Sequence, residues 1–300
     1  MKTIMDKEQV AIKRLQAASD MSLSAYDQKL VICISGGKDS SVITDLVIRA
    51  WIPAEFLHNH TTADAPETVR FVRSEFKRLE ALGYACSYHM PVYKGKRVSM
   101  WSLIPQKLMP PTRLIRYCCS VLKETGGQGR FIATGVRWAE SAKRKNNRGI
   151  YEKIGASVKD KIILSNDNDD RRMLFENCRL KAKRVVNPII DWTDDDVLDY
   201  AADAKTPMNP LYAEGFCRVG CIGCPMAAKA RIMEFLRWPG YQTLYLHAFD
   251  RMLKERERRG KQDGSWRTGT TAMDVFHWWM EDGVLPGQMH IDDLLEDDDE

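Results

Sequence analysis

The chain has 300 residues, 44% hydrophobic and 29% charged, and no apolar run nears the ~20 residues that a bilayer-spanning helix needs. A helical membrane protein is excluded, and one large α/β domain, or such a domain with a helical appendage, is the expectation. Its 45 Lys and Arg against 41 Asp and Glu leave a net charge of +4, with seven of the acids crowded into residues 292–300.

Taken in chain order, residues 1–8 lack a signal-peptide core, so a cytoplasmic location with no membrane partner is expected. Val10, Ile12, Leu15 and Ala18 predict a helix over 7–18. The apolar run 30–34 predicts a strand, and 39–50 a helix. Between them stands Ser35-Gly36-Gly37-Lys38-Asp39-Ser40. Adjacent glycines let backbone approach a ligand, the following helix N-terminus favours an anion, and Lys38 adds a positive charge. Ser35, Ser40 and Ser41 add hydroxyls. This is a phosphate-binding pattern, but not the Walker type, which needs four residues before its Gly-Lys pair.

Strands over 55–59, 85–90, 131–135 and 185–190 alternate with helices over 66–82 and 193–202, the first presenting Thr68, Phe71, Val72, Glu75 and Leu79 on one face. Such alternation implies a parallel sheet with ligands at the strands' carboxyl ends. The polar stretch 143–180 reads as a loop or small hairpin excursion, a candidate lid. Thr193 is the expected N-cap of its helix, with Asp194, Asp195 and Asp196 in the favourable first turn. Residues 228–261 are helical with an interruption at Pro239-Gly240, and 271–280 form a last helix in which Phe276, Trp278 and Trp279 are packing residues. The expected organisation is an N-terminal helix (1–25), a nucleotide-binding α/β domain carrying a cysteine cluster (26–226), a helical C-terminal region (227–290) and a disordered acidic tail (291–300). Basic clusters at 143–145, 179–184 and 254–261 could meet nucleic acid or stand as solvated faces; Glu255 and Glu257 favour a solvated face for the last.

Of eight cysteines, Cys33 reads as a strand core residue, while Cys86 and Cys178 stand alone. Cys118-Cys119 and Cys217-x3-Cys221-x2-Cys224 form two groups, giving five candidates for a four-thiolate centre in which Cys118 and Cys217 compete for one place. A 4Fe–4S cluster, an all-cysteine zinc site and a redox pair all remain open on spacing alone.

Several motifs carry a resemblance. The Ser-Gly-Gly-Lys-Asp-Ser loop is similar to the PP-loop of ATP pyrophosphatases, which cleave ATP between its α and β phosphates. Tyr117-Cys118-Cys119-Ser120-Val121-Leu122-Lys123 resembles the Cys-Cys motif of iron–sulfur sulfonucleotide reductases. Gly135-Val136-Arg137, Glu140-Ser141 and Arg144 resemble their sulfate- and phosphate-binding motif. Further likenesses run through Asn187-Pro188-Ile189, Asp191-Trp192, Asp196-Val197, Asn209-Pro210-Leu211-Tyr212 and Gly220-Cys221-x2-Cys224. The chain is thereby identified as a member of the phosphoadenosine-phosphosulfate reductase family over residues 30–226. The resemblance implies an adenine-nucleotide α-hydrolase-like (Rossmann-like) α/β fold, with the 4Fe–4S cluster over the nucleotide site.

Two departures qualify the implied chemistry. Sulfonucleotide reductases attack with a cysteine in a C-terminal Glu-Cys-Gly segment, whereas here no cysteine follows Cys224. Those reductases also carry an eroded phosphate loop, and this one is intact. Both point to ATP-dependent activation coupled to sulfur transfer, as in nucleic-acid thiolation or phosphorothioation. The expected roles are phosphate binding by the loop from Ser35 to Ser41, Mg²⁺ placement by Asp39, and oxyanion contacts from Arg137 and Arg144, about two helical turns apart on a continuous helix. Asn59 through Asp64 are expected to line the adenosine pocket, and Arg113 and Arg116 to lie near the cysteine pair. A sulfonucleotide reductase with another nucleophile and a non-catalytic nucleotide- and cluster-sensing subunit are the rival readings. A nucleic-acid acceptor, a sulfur- or electron-donor protein and a homodimer are each compatible with the sequence, which selects none of them.

Overall fold

Strand β1 (Leu30–Cys33) lies inside a seven-stranded sheet, and its Leu30, Val31 and Ile32 are buried on both faces, as in parallel sheets covered by helices. The order is β3 (Ala85–His89), β2 (Ala54–Asn59), β1, β6 (Phe131–Ala133), β9 (Lys183–Val186), β7 (Tyr151–Ile154) and β8 (Ile162–Leu164). The first five are mutually parallel, while β7 runs antiparallel to both β9 and β8. This is a computed structural model, and it describes residues 3–154, 162–165, 183–261, 266 and 269–281.

The strand order reverses between β1 and β6, because the chain leaves β1 toward β2 and β3 and returns to the other side. Ligands of open α/β sheets bind at such a switch point, beyond the carboxyl ends of the strands. The glycine loop follows β1 there, and Gly135 and Arg137 follow β6.

Helices α1 (Ile4–Tyr26), α2 (Lys38–Arg49), α3 (Pro66–Ala81), α5 (Ala142–Asn147) and α6 (Asp194–Asp203) belong to the same unit as this sheet, which comprises Met1–His60, Ala65–His89 and Thr125–Gly220. The first helix runs from Ile4 to Tyr26, beyond the periodic stretch 7–18 and close to the expected 1–25, because Met21 and Ser22 are still buried and the stop comes only at Asp27, in the left-handed region. Its Ala11, Leu15 and Ala18 join Val42, Leu46, Val72 and Leu79 in one core. Buried Arg14 adds a polar tie, donating to Pro188 O at 2.9 Å and gripping both Asp191 oxygens at 2.8 and 3.1 Å. The apolar face expected on α3 is buried, Glu75 included. Thr193 caps α6 through a reciprocal pair with Asp196.

Expectation and structure differ at two strands. The run 185–190 is strand only to Val186, since Asn187 and Pro188 turn the chain and bury Ile189 and Ile190 from a turn. Residues 131–135 are strand only to Ala133. The expected hairpin excursion is present as β7 and β8; the rest of 155–182, with Cys178, and the acidic tail lie outside the described residues.

A second compact unit gathers Thr61–Asp64, Met90–Glu124 and Cys221–Glu300. It holds a small hairpin of β4 (Val92–Tyr93) and β5 (Lys96–Arg97), then α4 (Met100–Lys107), α7 (Ala230–Arg237), α8 (Pro239–Arg258) and α9 (Ala272–Met280). Both cysteine-bearing segments, 118–119 and 221–224, thus cluster with the C-terminal helices, whereas the sequence attaches them to the nucleotide domain. The helical break falls at Trp238, with Pro239 opening α8, where a missing N–H costs nothing. Tyr245 of α8 is the centre of an aromatic core, 4.6 Å from the Trp279 ring, 4.9 Å from Trp101 and 5.9 Å from Phe235. Among the described residues, no helix is long and apolar enough to cross a membrane.

Candidate functional site

Gly36 opens the phosphate loop with φ +78°, and a Cβ there would meet Thr68 Cγ2 at 2.7 Å, so only glycine fits. Gly37 is the N-cap of α2 and offers no side-chain cap, which leaves the helix N-terminus to other acceptors. Ser40 Oγ donates to Gly37 O at 2.8 Å and accepts from Ser35 N at 3.3 Å, while Ser35 Oγ accepts from Gly37 N at 3.3 Å. These two hydroxyls brace the loop upon itself. Ser41 is buried in the first helical turn. Asn209 Nδ2 donates to Gly36 O and to Thr68 Oγ1, both at 3.1 Å, and holds the loop from outside. Lys38 donates twice within the unit, from its backbone N to Tyr212 Oη at 2.9 Å and from Nζ to Asp194 Oδ1 at 2.6 Å.

Gly135 lets the chain after β6 come down on this turn, for a Cβ would lie 2.8 Å from Asp39 Cβ and 3.3 Å from Ser40 N. Two residues on, Arg137 is 1% exposed. Its Nε donates to Asp39 Oδ1 at 2.7 Å, Nη2 to Asp194 Oδ1 at 2.8 Å and Nη1 to Trp192 O at 3.3 Å. Hydrogen bonds from Lys38 and Arg137 hold the Asp194 carboxyl below the usual carboxylate range.

Residues 137–144 do not form one continuous helix, so the two-turn spacing of Arg137 and Arg144 does not apply. A 3-10 turn, Trp138–Glu140, ends at Ser141, whose extended backbone (φ −172°) makes it the N-cap of α5. Ser141 Oγ accepts from Arg144 N, and Glu140 pairs with the Arg144 guanidinium, so these two residues organise the arginine. Burial, then Arg148 and other nearby cations including Arg218 and Arg137, push the Arg144 pKa down. Several guanidinium groups thus gather about Arg144, offset by Glu140 and Asp39 and, for Arg148, by Glu152 at 2.7 Å.

Asn59 and Asp64 are assigned to different compact units. Asn59 ends β2 with its Oδ1 buried and without a hydrogen bond among the described residues, against Gly126, where a Cβ would lie 2.0 Å away. Asp64 belongs to the second unit, where its Oδ2 accepts from Thr61 N at 3.1 Å and its backbone bridges to Cys221. His58 Nδ1 bonds Ile34 O at 2.8 Å, a strand histidine satisfied by backbone.

In the second unit, Cys118, Cys119, Cys221 and Cys224 line one small pocket together with Lys123 and Tyr245. The adjacent pair can point inward because Cys119–Lys123 is a π-helical turn, closed by Glu124 N to Cys119 O at 3.1 Å; such wide turns are frequent at functional sites. The other pair is set by a tight turn. Gly223 (φ +70°) lies against aromatic rings, Tyr245 Oη donates to Ile222 O at 2.9 Å, and Gly223 N donates to Glu234 Oε2 at 2.7 Å.

The two adjacent thiols are coupled to each other. The hydrogen bond with Cys119, then burial and the other two sulfurs, push the Cys118 thiol up. The same bond, opposed by burial and helped by Lys123 and Arg116, holds Cys119 down. Cys221 first, then Asp64 and the other thiols, keep Lys123 charged well above its ordinary range despite burial. A soft, four-sulfur donor set with apolar walls and one fixed cation fits a 4Fe–4S cluster or a thiolate zinc site.

Cys217 is exposed in the sheet-bearing unit and is not among the residues lining this cavity, so it is the candidate that the structure leaves out. Arg113 and Arg116 are both exposed, and Arg116 is near enough to bias Cys119. Burial pushes the Cys33 thiol up to about 11, as a strand core residue should behave.

Residues 29–227 match the model of the phosphoadenosine phosphosulfate reductase domain. The chain belongs to that family. Among relatives of this family member, an uncharacterized 37.8 kDa protein of Escherichia phage 186 is 25% identical over 267 residues, covering 77% of each chain. An uncharacterized protein of Methanocaldococcus jannaschii is 28% identical over 245 residues, 78% of this chain and 50% of that one. An adenosine 5'-phosphosulfate reductase of Deinococcus radiodurans is 46% identical over 48 residues, only 16% of this chain and 19% of the reductase. The fold is similar to that of a phosphoadenylyl-sulfate reductase from Candida auris (TM-score 0.43, 15% identity, 74% of this chain and 96% of that one). It is also similar to an FMN adenylyltransferase from Candida glabrata (TM-score 0.42, 14% identity, 74% and 66%).

The sequence carries no signal for Asp194 as a site residue, because an acid in a first helical turn is fully explained by capping and the helix dipole. Tyr212 and Asn209 stood only inside a motif, with no signal that their side chains would reach the loop. Arg148 and Arg218 lie in loops whose approach to Arg144 is a property of the fold.

Proposed function

We propose that this family member binds ATP at the glycine loop and cleaves it to AMP and pyrophosphate, activating an acceptor oxygen for replacement by sulfur. The observation that carries the reading is the intact loop, with Lys38, Arg137 and the Arg144 cluster gathered about the N-terminus of α2. An acceptor oxygen attacks the α phosphorus, the bond from that phosphorus to the α,β-bridging oxygen breaks, and pyrophosphate leaves with the charge. Lys38 and the N–H groups at the start of α2 stabilise that charge, and Arg137 and Arg144 suit the phosphate oxygens. Asp39 would help hold Mg²⁺ against the leaving pyrophosphate. A sulfur nucleophile then displaces AMP, breaking the bond between the acceptor carbon or phosphorus and its adenylated oxygen.

Cys118, Cys119, Cys221 and Cys224 would hold a 4Fe–4S cluster, which when bound supplies electrons or a binding position for sulfur. Lys123 offsets thiolate charge in that cavity, and Tyr245 fixes the turn between Cys221 and Cys224. The acceptor is proposed to be a nucleic acid, reached by the basic cluster at 143–145.

A second reading, a sulfonucleotide reductase with an atypical nucleophile, is favoured by the short, high-identity match to adenosine 5'-phosphosulfate reductases. Anaerobically purified protein, assayed for iron and sulfide and incubated with Mg²⁺ and ATP or adenylyl sulfate, separates the two. Pyrophosphate and AMP from ATP support activation. Sulfite from adenylyl sulfate overturns it in favour of the reductase, and neither product favours a nucleotide-sensing subunit.

A further inference from the structure

Both nitrogens of Lys38 that a phosphate would engage already hold a protein oxygen. The backbone N–H, in the first turn of α2, donates to Tyr212 Oη at 2.9 Å, and the ammonium donates to Asp194 Oδ1 at 2.6 Å. That same carboxylate oxygen accepts from Arg137 Nη2 at 2.8 Å. One oxygen therefore bridges the mobile cation of the loop and the fixed cation after β6.

The two cations differ in how firmly they are held. Arg137 is 1% exposed and is also tied to Asp39 Oδ1 and Trp192 O. Asp194 is 60% exposed, at the first residue of α6. A carboxylate so open to water can rotate away at small cost, because solvent replaces what it loses. Helix capping does not require this contact: Thr193 and Asp196 form the capping box, and Asp195 stands in the same first turn. Nor does the acid neutralise Arg137 alone, since Asp39 already does so.

We propose that the Asp194 carboxylate is an internal stand-in for a nucleotide phosphate, holding Lys38 and Arg137 in place until the entering polyphosphate displaces it. This rests on the reading of the loop as a polyphosphate site. The stand-in competes with every ligand, so it weakens binding in exchange for a preassembled cation pair. Multiply charged pyrophosphate or ATP outcompetes one carboxylate, whereas inorganic phosphate is a poorer rival. The device thus selects for polyphosphates.

Calorimetric titration of the full chain with pyrophosphate and with ATP, both in EDTA, tests it. Asp194→Asn is expected to bind pyrophosphate about five- to tenfold more tightly than the unaltered protein. Asp195→Asn, which removes the same charge one residue away, should bind as the unaltered protein does. Unchanged or weaker binding by Asp194→Asn overturns the inference, since a ligand-holding or merely structural carboxylate would behave that way. If neither protein binds either polyphosphate while both still unfold cooperatively, the polyphosphate reading falls and the stand-in falls with it. Should Asp194→Asn fail to fold, Asp194→Ser serves, its shorter side chain being unable to reach Lys38 as an anion.

Discussion

Arg137 Nε lies 2.7 Å from Asp39 Oδ1, and this ion pair ties the loop after β6 to the first turn of α2. The arginine is buried and the aspartate partly open, so the pair fixes the guanidinium without sealing the carboxylate from a metal or ligand. One ion pair thereby sets the distance between the two halves of the proposed phosphate site.

Arg137→Ala should therefore lower pyrophosphate release from ATP by at least about a hundredfold, as expected for a lost charge-stabilising donor. Stability should fall by about 1–3 kcal/mol, less than for a fully buried pair because Asp39 can be hydrated. Arg137→Lys keeps the charge but loses the fork that reaches Asp39, Asp194 and Trp192 O together. It should fold with a near-normal melting temperature and still release pyrophosphate about tenfold more slowly. Equal turnover by all three proteins would remove Arg137 from the site.

At Gly36 two faults can be separated. Ala there meets Thr68 Cγ2 at 2.7 Å and must also adopt φ +78°, which together should cost about 1–3 kcal/mol. Adding Thr68→Ser deletes that methyl while keeping the hydroxyl bonded to Asn209. Thermal unfolding of Gly36→Ala with and without Thr68→Ser should show partial recovery, the remainder being the backbone strain. Full recovery would mean that the left-handed conformation carries no cost.

How much of this was legible beforehand follows from the range of each interaction. The loop between β1 and α2 and the capping role of Thr193 are local, and residue type at fixed spacing declares them. The pairing of Cys118-Cys119 with Cys221-x2-Cys224 was suggested by composition, but their grouping with the C-terminal helices depends on the packing around Tyr245. Helix α4 was hidden because Pro105 sits inside it, and only the Ser99–Ser102 capping box argues for it. Arg137 and Arg144 were aligned on a helix that Ser141 interrupts, since an N-cap serine looks like any serine until the backbone turns. Asp194 needed the fold itself, which brings the start of α6 to a loop 156 residues earlier.

The opposite shifts of the two adjacent thiols lead to a prediction for metal-free protein. The shared hydrogen bond, opposed by burial and helped by Lys123 and Arg116, lowers the Cys119 pKa, whereas Cys118 is raised. A depressed pKa means that the ionised form is favoured in the folded state, so its stabilisation is present above the ordinary thiol range and is lost as pH falls through the depressed value. Iodoacetamide followed by peptide mass analysis should thus label Cys119 before Cys118, at a pH below that at which an ordinary cysteine reacts. Lys123→Met should move the onset for Cys119 upward. Equal labelling of both cysteines across the range would show that the pair does not share its proton as described.

The sharpest separation within the cysteine turn is between its two glycines. A Cβ at Gly220 meets nothing closer than Arg218 side-chain atoms at 3.9 Å, so Gly220→Ala should be tolerated. At Gly223 the same methyl would lie 2.7 Å from Phe235 Cζ, 2.9 Å from Trp279 Cη2 and 2.9 Å from Tyr245 Cε2, with φ +70° besides. Those rings belong to one packed aromatic cluster, which cannot give way on three sides, so the backbone between Cys221 and Cys224 must move instead. Because a four-thiolate site tolerates little displacement of its donors, Gly223→Ala should lose most of its bound metal, as Cys221→Ser should. Metal and sulfide content of the two glycine variants, purified side by side under anaerobic conditions, gives the answer. Full loading of Gly223→Ala would mean that the turn does not set the sulfur positions. Depletion of both variants alike would place the sensitivity in the whole segment rather than in the wedge between the rings.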